Sequence, residues 1–219
     1  AAYEAKLADT RGLLFSQLQG MRGELDARVM KLEKRAEELE HALQEGMFVE
    51  ASRPTDEVLA QLANAKKMLV ALEEKGRTFA GWQELFGMPA ADLRRLTAAS
   101  AEWEKRHGLW AAYHEFLTKQ QAWTSEPFAS VDVAALLKDS NALLKQSYVA
   151  DRQIGDEVSA AFKERTSEWR LKLPVVEELG NPNIRERHWR KLFGELGAPF
   201  KPNDAGRTLT DLQDAGVFE

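Results

Sequence analysis

Two residue patterns in this 219-residue chain come close to binding a nucleotide or a metal ion, and each lacks a required partner. A phosphate-binding loop needs glycines followed by Lys and Ser or Thr, but the dipeptide Gly-Lys does not occur. The nearest string, Gly206-Arg207-Thr208, has Lys201 where the first glycine should stand. His107 and His114 would lie roughly 10.5 Å apart along a helix axis, too far to share one metal ion.

Side chains that could act in acid-base or nucleophilic catalysis are present without a supporting arrangement. Carboxylate pairs such as Glu37 with Glu38, or Glu73 with Glu74, fall in mixed-charge stretches that are typical of solvated helix surfaces. No serine stands in a nucleophile-elbow pattern, and no spacing of His and Asp indicates a catalytic triad. The sequence therefore predicts no catalytic, cofactor-binding or metal-binding residue in the chain.

A more distinctive stretch lies between Leu173 and Leu196. Its residue types predict two short helices joined by a sharp corner. Pro174 suits the first turn of one helix, Gly180 suits its C-terminal cap, and Asn181 or Asn183 suits the N-cap of the next.

The second short helix contains the sequence Arg187-His188-Trp189. We expect Trp189 to bury one edge together with Leu192 and Phe193, while the arginines face solvent or a carboxylate. A tryptophan that anchors the corner is favoured over a ligand site, and His188 is then structural.

Composition limits the classes of protein to which the chain could belong. Hydrophobic residues make up 44%, enough for a real core. Charged residues make up 30% with a net charge of -5, and the two signs are interspersed, which argues against a nucleic-acid partner. No apolar run approaches the roughly 18 residues that span a bilayer, and the absence of cysteine fits an intracellular protein.

Apolar periodicity predicts long helices in the first part of the chain. A straight helix is expected from Tyr3 to about Met47, because a heptad frame from Leu18 would put arginines in a coiled-coil seam. A break from Gly46 to Pro54 precedes a second, antiparallel helix that ends at Gly76, and an aromatic segment, Phe79 to Pro89, then plugs the end of the hairpin. The stripes are Leu14, Leu18, Met21, Leu25, Val29, Leu32, Ala36, Leu39, Leu43 and Met47 for the first helix, and Val58, Leu62, Ala65, Leu69 and Leu72 for the second.

The rest of the chain is also predicted to be helical. A third helix, 90–123, ends before Pro127, and Ser130 or Asp132 starts either one helix or two helices separated near 151–155. Residues 197–203 are loop, and a last short helix begins near Thr208. The face of the third helix is Leu93, Leu96, Ser100, Trp103, His107, Trp110, His114 and Leu117. The predicted fold is all-α, with elongated antiparallel bundles in series and short helices at the C-terminal end.

Two sets of residues resemble dynein heavy chains, in the linker that precedes the first AAA+ module. The first set is Leu173-Pro174-Val175-Val176, Leu179, Asn181-Pro182, Ile184-Arg185, Arg187-His188-Trp189 and Leu192, followed by Phe200 and Leu209-Thr210-Asp211-Leu212. The second set, Leu109-Trp110, Trp123, Pro127-Phe128 and Val131-Asp132, resembles the tryptophan-rich helices that open the same region. The resemblance covers roughly 109–212. The sequence from Pro174 to Trp189 is more similar to axonemal than to cytoplasmic heavy chains.

This resemblance implies a mechanical role without catalysis. Dynein linkers are helical rods that bend and straighten as the AAA+ ring turns over nucleotide, and they pass force to the tail during microtubule-based movement. ATP would bind in the ring of the parent motor, and no cofactor would bind in this segment. The implied motif residues are Trp110, Trp123, Pro127, Phe128, Leu173, Pro174, Arg187, His188, Trp189 and Leu192, and the candidate hinge residues are Gly46, Pro54, Gly180, Asn181 and Pro182.

The resemblance also implies a division of the chain, its partners and its location. Residues 1–88 would be proximal stem or the start of the linker, 89–172 an aromatic-rich linker bundle, and 173–219 the corner and its continuation. Partners would be the rest of the heavy chain with its ring, and further candidates are intermediate or light chains and other heavy chains. The location would be the cytoplasmic cytoskeleton, in the axoneme of a cilium or flagellum. The alternative is an unrelated all-α scaffold or adaptor that binds partner helices in an aromatic groove.

Overall fold

A computed structural model describes residues 2–202 and 206–218, and over those residues the chain is all-α, as predicted. The α-helices are α1 (Ala2–Leu43), α2 (Thr55–Leu85), α3 (Arg94–Ser125), α4 (Val133–Gln153), α5 (Glu157–Leu179), α6 (Glu186–Glu195) and α7 (Leu209–Asp214), and short 3-10 turns lie at Gly46–Phe48 and Phe128–Ser130. Within the described ranges, no helix is both long enough and apolar enough to cross a membrane.

The chain forms two compact units. Unit 1 comprises Ala1–Phe48 and Glu57–His107, and unit 2 comprises Val49–Asp56 and Gly108–Glu219. Helix α3 therefore contributes its first part to unit 1 and its remainder to unit 2. The division into stem and linker segments at 88 and 172 stays a prediction, as does the serial arrangement of the bundles.

In unit 1, α1 and α2 run antiparallel. The Arg22 side chain donates hydrogen bonds to the carbonyl oxygen of Phe86, and Leu32 lies beside Gly76 further along the pair. The buried residues are Leu25, Val29, Leu32, Ala36, Leu39 and Leu43 of α1, and Val58, Leu62, Ala65, Leu69 and Leu72 of α2. The predicted stripe of α1 is wrong at its start, because Leu14 and Met21 are 60% and 52% exposed. These residues come before Arg22, in the part of α1 that extends past the end of α2.

The predicted end of the second helix at Gly76 is also wrong. Helix α2 continues to Leu85, and Gly76 is buried inside it. A Cβ at this position would lie 3.1 Å from Leu93 Cδ1, so close packing explains the glycine. The predicted aromatic plug belongs largely to the same helix, and Trp82 and Leu85 are 41% and 78% exposed.

The start of α3 is capped by a side chain of α1. The Glu33 carboxylate accepts hydrogen bonds from the backbone N–H groups of Arg95, at 3.0 Å, and Leu96, at 3.3 Å. These donors have no partner within their own helix, and the negative charge opposes the positive end of the helix dipole. One turn further along α1, Glu37 forms a 3.1 Å ion pair with the Arg95 guanidinium.

In unit 2, α4 and α5 also run antiparallel, and they form a bundle with the second part of α3. Buried polar pairs join α4 to α5, since Trp169 Nε1 donates to Ser140 Oγ at 3.0 Å and Ser147 Oγ lies 2.7 Å from Thr166 Oγ1. Their aromatic and aliphatic neighbours in the core are Leu109, Trp110, Tyr113, Phe116, Leu136, Leu143, Val158, Phe162, Leu173 and Val176.

The predicted core face of the third helix is shifted around its axis. Trp103, His107, His114 and Leu117 are only partly buried. Tyr113 and Phe116 are buried instead, and both rings lie against Phe162. Steps of three and four residues from Leu93 define one side of the helix, but the neighbouring helices decide which side is buried. The sequence pattern alone does not identify those neighbours.

The segment between α4 and α5 is a helix break, and it resolves the predicted choice in favour of two helices. Gly155 has φ +69°, a conformation that favours glycine, and Asp156 and Ser159 form a capping box at the start of α5. Asp132 likewise caps α4 by accepting from the backbone N–H of Ala135, as one of the two predicted alternatives.

The interhelical cap on α3 gives a direct test of unit 1. We expect Glu33→Ala to lower the free energy of unfolding by about 1 kcal/mol, because two N–H groups at the helix start lose their acceptor. Urea denaturation followed by circular dichroism measures the change. Glu24→Ala is the matched control on the same helix, and it should change stability by less than about 0.5 kcal/mol because its ion pair with Arg28 is exposed. Equal losses in the two variants would contradict the capping role.

Candidate functional site

The corner predicted after Leu173 begins later than expected. Helix α5 runs through Pro174 to Leu179, so Pro174 lies inside a helix rather than in a first turn. Proline lacks the N–H that would bond to the preceding turn and normally weakens a helix interior. Burial of Leu173 and Val176 in the core of unit 2 accounts for the helix continuing past it.

Gly180 caps the C-terminus of α5, as predicted, but for a different physical reason. Its φ is -76° and its ψ is -1°, so the left-handed conformation that usually selects glycine is absent. A Cβ built on Gly180 would lie 2.7 Å from Val133 Cγ2 and 3.0 Å from two further Val133 atoms. Gly180 therefore permits the end of α5 to approach the start of α4.

The turn after Gly180 differs from the predicted one. Asn181 Oδ1 accepts a hydrogen bond from the backbone N–H of Asn183 at 2.9 Å, which forms a local turn. The prediction that Asn181 or Asn183 caps the next helix is wrong, because the N-cap of α6 is Arg185. Asn181, Pro182 and Asn183 are all exposed.

His188 takes part in capping α6. Its Nδ1 accepts from the backbone N–H of Arg185 at 2.9 Å, and Arg187 Nε lies 3.2 Å from its Nε2. Across the described ranges, no group of three or more His, Asp or Glu side chains is arranged to hold a metal ion.

A single arginine from the C-terminal segment gathers the aromatic side chains of the corner. The Arg207 guanidinium lies 4.9 Å from the ring of Trp189, 5.0 Å from that of Phe193 and 5.7 Å from that of Phe200. Trp189 also meets Phe128 edge to face, with 6.3 Å between ring centroids. We call these five residues the Arg207 cluster. Trp189 is only partly buried, so it anchors the corner less completely than the sequence predicted, whereas Phe193 is buried.

The backbone of the C-terminal segment is tied to the same place. Phe128 N–H donates to the carbonyl oxygen of Arg207 at 2.7 Å, within an antiparallel bridge between Pro127 and Thr208. Thr210 Oγ1 donates to the carbonyl oxygen of Thr124 at the end of α3, at 2.9 Å. An open cleft of about 260 Å³ remains beside these contacts, and its lining includes Val131, Leu179, Pro182 and Ile184.

Helix α7 has its own capping box. Thr208 Oγ1 accepts from the backbone N–H of Asp211 at 3.1 Å, and the Asp211 carboxylate accepts from both the backbone N–H and the hydroxyl of Thr208 at 2.8 Å. The backbone hydrogen bond, followed by the hydroxyl, lowers the pKa of Asp211. Leu209 and Leu212 are buried, and Lys172 of α5 donates to Gln213 at 2.6 Å.

The remaining predicted motif residues occupy different environments within unit 2. Trp110 is fully buried in the core, and Trp123 stacks on Trp169 with 5.8 Å between centroids. Leu192 is partly buried on α6, and Pro127 is exposed beside the bridge to Thr208. The structure thus brings Pro127, Phe128 and Trp189 together at the corner, whereas Trp110 and Trp123 belong to the bundle.

The predicted hinge residues lie where helices are interrupted. Gly46, with φ +58°, and Pro54 flank the connection between α1 and α2. Gly180, Asn181 and Pro182 lie between α5 and α6. Whether these residues act as hinges stays a prediction. Of the predicted loop 197–203, Asn203 lies outside the described residues.

Arg207 was not predicted as a corner residue, although it stands in the incomplete phosphate-loop string Gly206-Arg207-Thr208. The available signal was the series Trp189, Phe193 and Phe200, which offers aromatic faces to a cation. Nothing local to Arg207 indicates that it reaches them.

Comparison with known proteins assigns the corner and most of unit 2 to one family. The family described as "Dynein heavy chain, N-terminal region 2" matches residues 96–219, more than half of the chain. The chain belongs to this family. The match confirms the resemblance to dynein heavy chains that the sequence showed, and it places this chain in the N-terminal region of such a heavy chain.

Individual relatives are much longer than this region. This chain is 24% identical over 161 residues to dynein axonemal heavy chain 1 of Mus musculus, and the aligned segment covers 71% of this chain and 4% of the relative. It is 23% identical over 192 residues to dynein axonemal heavy chain 6 of Homo sapiens, covering 86% and 5%. It is 25% identical over 123 residues to the flagellar outer-arm dynein beta chain of Chlamydomonas reinhardtii, covering 56% and 3%.

The contact between Gly180 and Val133 predicts a specific steric effect. We expect Gly180→Ala to destabilise unit 2 by about 1 to 3 kcal/mol, because the added methyl group overlaps Val133. Thermal unfolding followed by tryptophan fluorescence measures it, and adding Val133→Ala should restore part of the loss. Gly194→Ala is the matched control, since no neighbouring atom lies within 4 Å of its added Cβ. A loss in Gly180→Ala that Val133→Ala does not relieve would contradict this explanation.

The capping box of α7 predicts a dependence on pH. Because the folded-state pKa of Asp211 is lowered, its stabilisation is complete above the unfolded-state pKa and is lost as pH falls through the folded-state value. Titration of the carboxyl ¹³C shift measures this pKa. Thr208→Ala should raise it part of the way towards its ordinary value, because the hydroxyl is removed while the backbone N–H remains. The urea-unfolded chain supplies the reference, and an unchanged titration in Thr208→Ala would argue against the assigned cause.

Proposed function

We propose that this dynein heavy-chain region is a non-catalytic mechanical element of the linker and adjoining stem. In this role it transmits nucleotide-driven conformational change in the AAA+ ring of the parent motor to the tail during microtubule-based movement. The observation that carries the proposal is the Arg207 cluster, which ties α6 and the C-terminal segment to the junction of α3 and α4. Family membership supplies the motor context.

The arrangement of unit 2 suits the transmission of force. Helices α4 and α5 share a core in which Leu136, Val158 and Phe162 are fully buried, and a densely packed interior resists deformation. The corner differs, because the exposed turn at 181–183 joins α5 to α6 beside an open cleft. Hinge movements are absorbed by a few residues at the ends of such elements. The corner would therefore change angle while the bundle keeps its form.

We propose that ATP binds elsewhere in the heavy chain and that this segment needs no cofactor of its own. The sequence lacks a phosphate-binding loop, which supports this assignment. The relatives are named as axonemal, flagellar or ciliary dyneins, which supports a location in the axoneme of a cilium or flagellum. Partners would include the rest of the heavy chain with its ring, and intermediate or light chains are further candidates.

The mechanical role predicts that motility is uncoupled from hydrolysis when the corner is loosened. In a full-length recombinant heavy chain, Arg207→Ala should slow microtubule gliding by about threefold or more, because the cation that holds three aromatic rings is lost. Microtubule-stimulated ATPase turnover should stay within about twofold of the unaltered motor. Gliding assays and phosphate release measure the two quantities.

The matched control is Lys191→Ala on the same short helix, where the side chain is 79% exposed and pairs loosely with Glu195. It should leave both gliding and turnover unchanged. Unchanged gliding in Arg207→Ala, or a parallel fall in gliding and ATPase turnover, would contradict transmission through the corner.

A further inference from the structure

A pair of arginines stands just before an exposed threonine at the start of α3. The dipeptide Arg-Arg occurs once in the sequence, as Arg94-Arg95, and Thr97 follows these residues by three and two positions. Arginine-directed serine/threonine kinases select a target hydroxyl by arginines at these two positions, which bind carboxylates of the kinase. The spacing therefore marks Thr97 as an acceptor for phosphate.

The groups that a kinase would contact are accessible. The side chain of Thr97 is exposed, and its hydroxyl donates to a carbonyl oxygen of its own helix turn at 3.1 Å. Arg94 is 88% exposed and pairs with Asp92, and Arg95 is 56% exposed and pairs with Glu37. Exposed ion pairs contribute little to stability, so carboxylates of a kinase can replace both partners.

The first turn of α3 must open before the reaction, because kinases bind the residues around the target in an extended conformation. Two features oppose this opening. Leu96 is buried, and the backbone N–H groups of Arg95 and Leu96 donate to the Glu33 carboxylate of α1. Helix ends nevertheless open more readily than helix interiors, so the required change is confined to about one turn. Glu33 is then the polar side chain that holds this turn closed.

We propose that Thr97 is phosphorylated by an arginine-directed serine/threonine kinase and that Glu33 restricts access to it. The Thr97 hydroxyl oxygen forms a bond to the γ-phosphorus of ATP, while the bond from that phosphorus to the β–γ bridging oxygen breaks. The hydroxyl proton passes to the catalytic aspartate of the kinase, and ADP leaves. The product adds about 1.5 to 2 negative charges to a turn that a carboxylate already caps. The proposal concerns unit 1 and does not depend on the mechanical role of the corner.

Thr78 of α2 provides a matched comparison within the same unit. It is exposed, and its hydroxyl donates to the carbonyl oxygen four residues earlier at 2.9 Å, as that of Thr97 does at 3.1 Å. Arg77 precedes it directly, but Lys75 and Gly76 stand three and two positions before it. Thr78 also lies inside α2 rather than in a first turn. A kinase that required only an exposed helical hydroxyl would modify both threonines.

Phosphorylation of the full-length recombinant heavy chain tests the site. The probe is the catalytic subunit of cAMP-dependent protein kinase with MgATP, and tandem mass spectrometry follows phosphate at both threonines over time. The initial rate at Thr97 should exceed that at Thr78 by about tenfold or more. Arg94→Gln should lower the rate at Thr97 about tenfold, whereas the control Arg77→Gln should leave it unchanged. No phosphate at Thr97, equal rates at the two threonines, or no effect of Arg94→Gln would overturn the site.

The same assay tests the restriction of access by Glu33. Glu33→Ala should raise the ratio of the rate at Thr97 to that at Thr78 about fivefold, because the first turn of α3 then opens more often. Glu24→Ala removes an exposed carboxylate from the same helix and should leave this ratio unchanged. An unchanged ratio in Glu33→Ala, or an equal rise at both threonines that signals general unfolding, would overturn the role of Glu33.

Discussion

The C-terminal part of unit 2 depends on the position of one arginine. Arg207 accepts a backbone hydrogen bond from Phe128 and places its guanidinium against Trp189, Phe193 and Phe200. Arginine suits this position because its planar cation stays charged and presents flat faces to aromatic rings. The contacts join three segments that are far apart in sequence, so a corner with few fully buried residues still has a defined geometry.

The sequence predicted those features that depend on local periodicity and on capping chemistry. The all-α class, the stripes from Leu25 to Leu72 and the break near Gly155 all appear in the structure. Asp132 was one of two predicted caps, and it could be named because its carboxylate can accept from the turn that immediately follows it. These features are encoded within a few residues, so they need no knowledge of neighbouring helices.

Features determined by distant neighbours could not be predicted in the same way. Gly76 looked like a helix end, but it faces Leu93, and Gly180 caps its helix because of Val133 rather than a left-handed φ. Pro174 looked like a helix start, yet its helix continues because the residues around it are buried. The sequence located the corner through Trp189, whereas Arg207 could be recognised only after the chain had brought it back to the aromatic rings.

The two buried polar pairs between α4 and α5 restrict how these helices can slide past each other. If α5 slid one turn along α4, roughly 5.4 Å, the hydroxyls of Ser140, Ser147 and Thr166 and the indole N–H of Trp169 would change neighbours in an apolar interior. Ser147 and Thr166 would keep carbonyl acceptors in their own helices, whereas the indole N–H of Trp169 would lose Ser140. A buried donor left without a partner costs about 1 to 3 kcal/mol. The hydrogen bond between Trp169 and Ser140 thus opposes slippage, in addition to favouring the register in which the bundle folds.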